Sequence, residues 1–163
     1  MTSSDDLLIQ WLKRARESQF AHYSAHDRLL RRHYWIGIPA TALATIVGTS
    51  VFASLGKDVN DWARIAAGLV SVVTAVLTAL QTFWRFPERA ELHRRAATAY
   101  AAVRRDIELR LTFPDRVNFD GIEAVRKELD RIAFEAPSTS HRDWAAVRDR
   151  GDKSYLYGAP PTQ

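Results

Sequence analysis

Hydrophobic and polar positions divide this chain into blocks with two different rules. Residues 35–55 and 65–84 are apolar runs of 21 and 20 residues without one Asp, Glu, Lys, Arg or His. A helix needs about 20 residues to cross a bilayer core of about 30 Å. No water is available there to hydrogen-bond the backbone, so a helix is the natural form. A soluble helix keeps a polar face, and these two runs keep none. Outside them the apolar positions recur at steps of three and four, the helical period. Over 5–33 the seam is Leu8, Leu12, Ala15, Gln19, His22, His26, Leu29 and His33. Over 86–112 it is Phe86, Ala90, His93, Ala97, Tyr100, Ile107 and Leu111, with Arg104 interrupting beside Val103. Such seams pack as in coiled coils.

These patterns predict an all-α membrane protein. Its helices are 5–33, a first transmembrane helix at 35–55, a second at 65–84, 86–112 and 120–135. Nothing breaks the chain between 5–33 and 35–55, so they form one rod of about 50 residues, about 75 Å long at the helical rise. Pro39 kinks or loosens it. Pro87 marks a restart after the second apolar run, and Phe113-Pro114 ends the helix that follows. In 120–135, Asp120 is the cap, and Ile122, Val125, Leu129, Ile132 and Phe134 form an imperfect apolar face that stops before Pro137. Ser140 and Asp143 have capping-box spacing for a short turn around Trp144 and Val147. Residues 151–163 read as an irregular tail.

The connection Gly56–Arg64 is nine residues long, so the two apolar helices must form an antiparallel hairpin. Tyr34, Trp35, Trp62, Phe83 and Trp84 stand at its ends, where aromatic side chains favour the headgroup level. Arg28, Arg31 and Arg32 precede the first run, and Arg85, Arg89, Arg94 and Arg95 follow the second, whereas the turn carries only Lys57 and Arg64. The positive-inside bias therefore puts both termini in the cytoplasm.

Within the spans, small residues recur four apart. The first carries Ala40, Ala44 and Gly48, and the second Ala67, Ser71, Ala75 and Ala79. Such faces let helix backbones approach closely in lipid, either within one hairpin or between copies of the chain. Ser71, Thr74, Thr78 and Gln81 form a polar line at steps of three, four and three. The line suits either the wall of a narrow aqueous path in an oligomer or hydrogen bonding between helices. No ionisable group lies inside either span, which speaks against a proton-coupled carrier or a voltage sensor.

Overall composition changes the picture little. The chain has 163 residues with a formal charge of +4 and an isoelectric point near 9.7. The excess is arginine flanking the apolar runs, so nucleic acid is not the expected partner. No cleavable signal sequence is evident. Cysteine is absent, which excludes a disulfide framework and a thiol nucleophile. His22 and His26 are four apart on a helix, a spacing that suits a metal, but no third ligand is identifiable and a polar packing seam facing His93 is the better reading. Glu88 and Glu91 pair with nearby arginines and have no cleft. Phosphate-loop, nucleophile-elbow and dinucleotide motifs are missing. Neither an enzyme nor a cofactor is expected.

The run F-x-x-R-A-x-L-H-x-x-A-A-x-x-Y-x-x-V-x-R-x-I-E, from Phe86 to Glu108, together with this order of helices, resembles the SLATT family. These are small two-span proteins associated with bacterial nucleotide-dependent conflict systems, and the resemblance covers roughly 5–150. A SLATT-like domain over 1–150 is implied, sitting in the bacterial inner membrane. The family likeness further implies an effector of antiviral defence. On that likeness, an upstream sensor or nucleotide-second-messenger system would trigger it, and it would breach the membrane and arrest growth or kill the cell before phage release. It supplies no catalytic residue to carry over. A two-helix hairpin cannot enclose a pore, so a pore requires self-association around an axis. The competing expectation is a non-conducting anchor whose rods recruit a cytosolic partner. A small housekeeping transporter or channel is a third.

Overall fold

The computed structural model describes residues 4–53, 60–113, 118–145 and 147. Among them the protein is helical and carries no strand. Four helices follow in order: α1 (Ser4–Ala53), α2 (Asp61–Trp84), α3 (Phe86–Thr112) and α4 (Phe119–Glu135). Residues 141–145 are also helical. The connection 54–59, Pro114 and the tail 151–163 lie outside the described residues.

Local chemistry accounts for the helix ends. Asp5 and Asp6 occupy the first turn of α1, where carboxylates oppose the positive end of the helix dipole. The α2 cap is Asn60, whose side chain accepts from the Trp62 amide at 3.1 Å. The α4 cap is Asn118, two residues before the Asp120 that the sequence suggests, and it accepts from the Gly121 amide at 2.9 Å. Arg85 separates α2 from α3 by adopting the left-handed conformation, φ 46° and ψ 45°. Pro87 then stands in the first turn of α3, where its missing N–H costs nothing. At Pro39 the helix α1 continues without a break.

The chain divides into two compact units, residues 1–27 with 90–163, and 28–89. The first is a helical bundle with a water-excluding core. Leu8 and Ala15 of α1, Tyr100, Val103 and Ile107 of α3, and Val125 and Ile132 of α4 form that core. Trp11, Leu12, Leu111 and Leu129 pack against it. Val103, rather than Arg104, faces inward, and Arg104 turns out to pair with Glu108 at 3.3 Å. Phe134 departs from the sequence reading. It is 91% exposed, because two residues beyond buried Ile132 is about 200° around a helix.

The second unit contains the later part of α1 and the whole of α2. No residue of α2 is buried. The less exposed positions on α2 are Ala67, Val70, Thr74, Leu77, Leu80 and Gln81. Those on α1 are Ile36, Gly37, Ala40, Leu43, Val47 and Gly48. Each set recurs at steps of one, three and four, as one helix face does. The remaining circumference of α2 is apolar and exposed, including Leu69, Val72, Val73 and Val76.

Candidate functional site

In the first unit, the polar half of the helical seam assembles around two histidines. His22 on α1 and His93 on α3 are both buried, with their Nδ1 atoms 3.0 Å apart. One ring must donate Nδ1–H and the other accept it, so the contact holds a single proton between two nitrogens. Tyr100 stacks on His22 with ring centroids 5.7 Å apart. His26, one turn on, donates from Nδ1 to the Ala90 carbonyl at 3.0 Å. Asp143 is buried to 1% exposure and accepts both the Ser140 amide and hydroxyl, at 2.9 and 2.7 Å. The Ser140–Asp143 spacing thus builds the cap for 141–145.

Burial first and His93 second push the His22 pKa down, the Asp143 charge pulls it part of the way back, and the net value is about 4. A buried imidazole loses its hydration when charged, which is why the desolvation effect leads. Burial likewise raises the Tyr100 hydroxyl, opposed by a hydrogen bond to Ser18. At the surface, Arg94 and Arg95 hold Glu91 down near 2. Among the described residues, no group of three or more His, Cys, Asp or Glu is placed to hold a metal.

Of the seam residues read from the sequence, His22, Phe86, Ala90, His93, Ala97 and Tyr100 are buried, and His26 is partly so. Ala21, Ala25, Ala96 and Ala101 are buried as well. The seam did not include them, because a methyl group carries little hydrophobic signal although it sets how closely two helices approach.

In the second unit, the polar line divides between exposed and half-buried positions. The hydroxyls of Ser71, Thr74 and Thr78 each donate to the carbonyl four residues back, on Ala67, Val70 and Thr74, at 2.9, 2.8 and 2.9 Å. Gln81 is different, since its Nε2 lies 3.3 Å from both the carbonyl and Nδ1 of His33. Gly37 stands beside this contact, and a Cβ there would run into the Gln81 amide. Thr74 and Gln81 are half-buried, while Ser71 and Thr78 are exposed. The small residues divide similarly. Ala40 is buried, Gly48 and Ala67 are half-buried, and Ala44, Ala75 and Ala79 are exposed. A second threonine line, Thr41, Thr45 and Thr49, is exposed on α1, each hydroxyl returning to the carbonyl four residues back at 2.9 Å.

The apolar character of α2 is extreme for a helix that buries nothing. Within Asp61–Thr112 an 18-residue window reaches a mean hydropathy of 1.9, and none of its residues is buried within the chain. By length and composition this is the one helix among the described residues that is able to cross a membrane. The first apolar run, 35–55, extends past the described residues. Residues 12–149 match the model of "SMODS and SLOG-associating 2TM effector domain family 4". Comparison with curated proteins finds no match, and comparison with solved structures finds none.

Proposed function

Because the chain belongs to SMODS and SLOG-associating 2TM effector domain family 4, a SLATT family of membrane effectors in conflict systems, we propose that it is the membrane-breaching effector of a bacterial antiviral defence system. In this reading 35–55 and 65–84 cross the inner membrane as an antiparallel pair with both termini in the cytoplasm. Several copies assemble around an axis when an upstream sensor or nucleotide signal engages the cytoplasmic helices. The membrane then leaks, and growth stops. No catalysis is involved.

The observation that carries the proposal is α2, whose exposed valines and leucines have no cover within the chain. In water that surface is a large aggregation hazard, whereas in lipid it is the ordinary condition of a spanning helix. The hydroxyls of Ser71 and Thr78, exposed and already bonded to their own helix, suit a wall that passes ions without binding them tightly. Gln81, which reaches His33 of α1, joins the helix pair.

The test is reconstitution of the purified chain in liposomes, with ion leakage measured in the presence and absence of products of neighbouring genes. Leakage that depends on such a product is expected. Replacing Ser71, Thr74, Thr78 and Gln81 together by Leu is expected to abolish it; leakage that persists removes those residues from the path. A second reading is a non-conducting scaffold. The exposed Phe119 and Phe134 of α4 favour it, as apolar residues available to a cytosolic partner. A scaffold tolerates exchange of both spans for an unrelated hairpin, and a pore does not.

A further inference from the structure

We infer that the α1/α2 pair carries a binding site for one anionic phospholipid, with an acyl chain in a groove along Tyr34, Gly37, Ile38 and Ala42 and the lipid phosphate on Arg31. The groove is open and measures about 490 Å³, with Gln81 of α2 in its lining. Gly37 makes the floor, since the absence of a side chain there lets the Gln81 amide approach α1. The lining is mostly hydrocarbon, and Ile38 stands 67% exposed on its rim.

Helix geometry places the charge at one end of this groove. Arg31, Tyr34, Ile38 and Ala42 follow one another at steps of three, four and four, so they lie on one face of α1. Arg31 therefore heads the groove on its N-terminal side. Arg31 and Arg32 are exposed and have no ion-pair partner among the described residues. Several other arginines are engaged. Arg94 and Arg95 pair with Glu91, Arg110 with Asp106, and Arg131 with Glu128 and Glu135. A phosphodiester supplies what Arg31 lacks, because a guanidinium donates two parallel hydrogen bonds to phosphate oxygens. Trp35 and Tyr34, 76% and 56% exposed, provide aromatic rings at the same level, the usual depth of headgroups. An anionic lipid fits better than a zwitterionic one, whose own cation competes with Arg31 for the phosphate.

The inference rests on the reading that α1 enters the membrane near Trp35. The experiment is native mass spectrometry of the full chain in detergent, equilibrated with equal amounts of dioleoyl phosphatidylglycerol and dioleoyl phosphatidylcholine. About fivefold preferential retention of phosphatidylglycerol is expected, the worth of one basic residue at an anionic surface. Arg31→Gln should bring the ratio close to one, whereas Arg105→Gln, on exposed α3 surface, should leave it unchanged. Ala42→Trp, which fills the groove at an exposed position, should reduce retention of both lipids. Equal retention by the wild-type chain overturns the site, and so does a preference that survives both Arg31→Gln and Ala42→Trp. Displacement of the lipid by inorganic phosphate alone also overturns it, since that reduces the site to an anion contact. Alkaline carbonate extraction separates the two readings. A chain that washes off vesicles refutes membrane insertion, whereas an inserted chain without lipid preference refutes only the lipid site.

Discussion

His22 shows how one buried side chain couples the bundle to acidity. Its folded-state pKa, about 4, lies below the ordinary value of 6.5, so the folded chain binds fewer protons than the unfolded one. Its contribution to stability is therefore complete above pH 6.5 and is lost as the pH falls from there toward 4. Full protonation would also set two Nδ1–H groups against each other across 3.0 Å. Denaturation of the full chain at pH 7.5 and pH 5 should differ by on the order of 2 kcal/mol. His22→Gln, which keeps a hydrogen-bonding amide but does not titrate, should flatten that difference. Equal pH dependence in the variant would assign the effect to other groups. Arg85 makes a separate residue-scale case. Left-handed backbone costs a non-glycine residue about 1 kcal/mol, and its exposed pairing with Glu88 at 3.3 Å returns only a few tenths. Arg85→Gly should raise the thermal midpoint slightly, and Arg85→Val should lower it.

At the scale of elements, α4 separates pattern from packing. Its sequence contains Ile132 and Phe134 as equally apolar candidates, yet Ile132 is 3% exposed and Phe134 91%. Ile132→Ala should cost about 2–4 kcal/mol by leaving a cavity, whereas Phe134→Ala should change stability by less than about 0.5 kcal/mol. Chemical denaturation distinguishes the two directly. The period-3.6 pattern places α3 at Phe86–Thr112 because Pro87 and the Phe113-Pro114 pair mark its ends in the sequence itself. The helical period also identifies Val103 as the neighbour of a seam broken by Arg104. The same reasoning does not find Gly37, whose role depends on Gln81, a residue 44 positions away in sequence.

For the whole molecule, the two units obey different solvent rules. Residues 1–27 and 90–163 contain a buried apolar core beneath ion-paired surfaces. Residues 28–89 instead expose large apolar side chains, Trp35, Ile38, Leu69 and Val73 among them. Val73, near the middle of α2 and 51% exposed, discriminates between solvents. If α2 stood in water, Val73→Arg would be a surface change worth less than about 0.5 kcal/mol. If it spans a bilayer, the arginine costs about 2.5–3.5 kcal/mol at the span centre. Glycosylation-site or protease mapping should show a marked fall in insertion for Val73→Arg and none for Ala63→Arg, at the helix start. Unchanged insertion of Val73→Arg would count against the spanning role of α2.

What the sequence determines by itself is whatever depends on neighbours along one helix. Residue spacing and stop signals determine the all-helical class, the run of α3, the capping pair Ser140–Asp143 and the uncharged length of α2. These are local properties, set by 3.6 residues per turn and by backbone chemistry. Tertiary structure decides which of several equivalent faces meets another helix. It brings His22 to His93 across 71 positions of sequence, turns Thr74 and Gln81 of the polar line inward while leaving Ser71 and Thr78 outside, and opens the groove at Gly37. The physical reason is that helical periodicity specifies the angle at which a side chain leaves its own axis. The partner at that angle is set by how two helices approach, which depends on small residues such as Ala21, Ala25 and Gly37 that the hydrophobic pattern hardly registers.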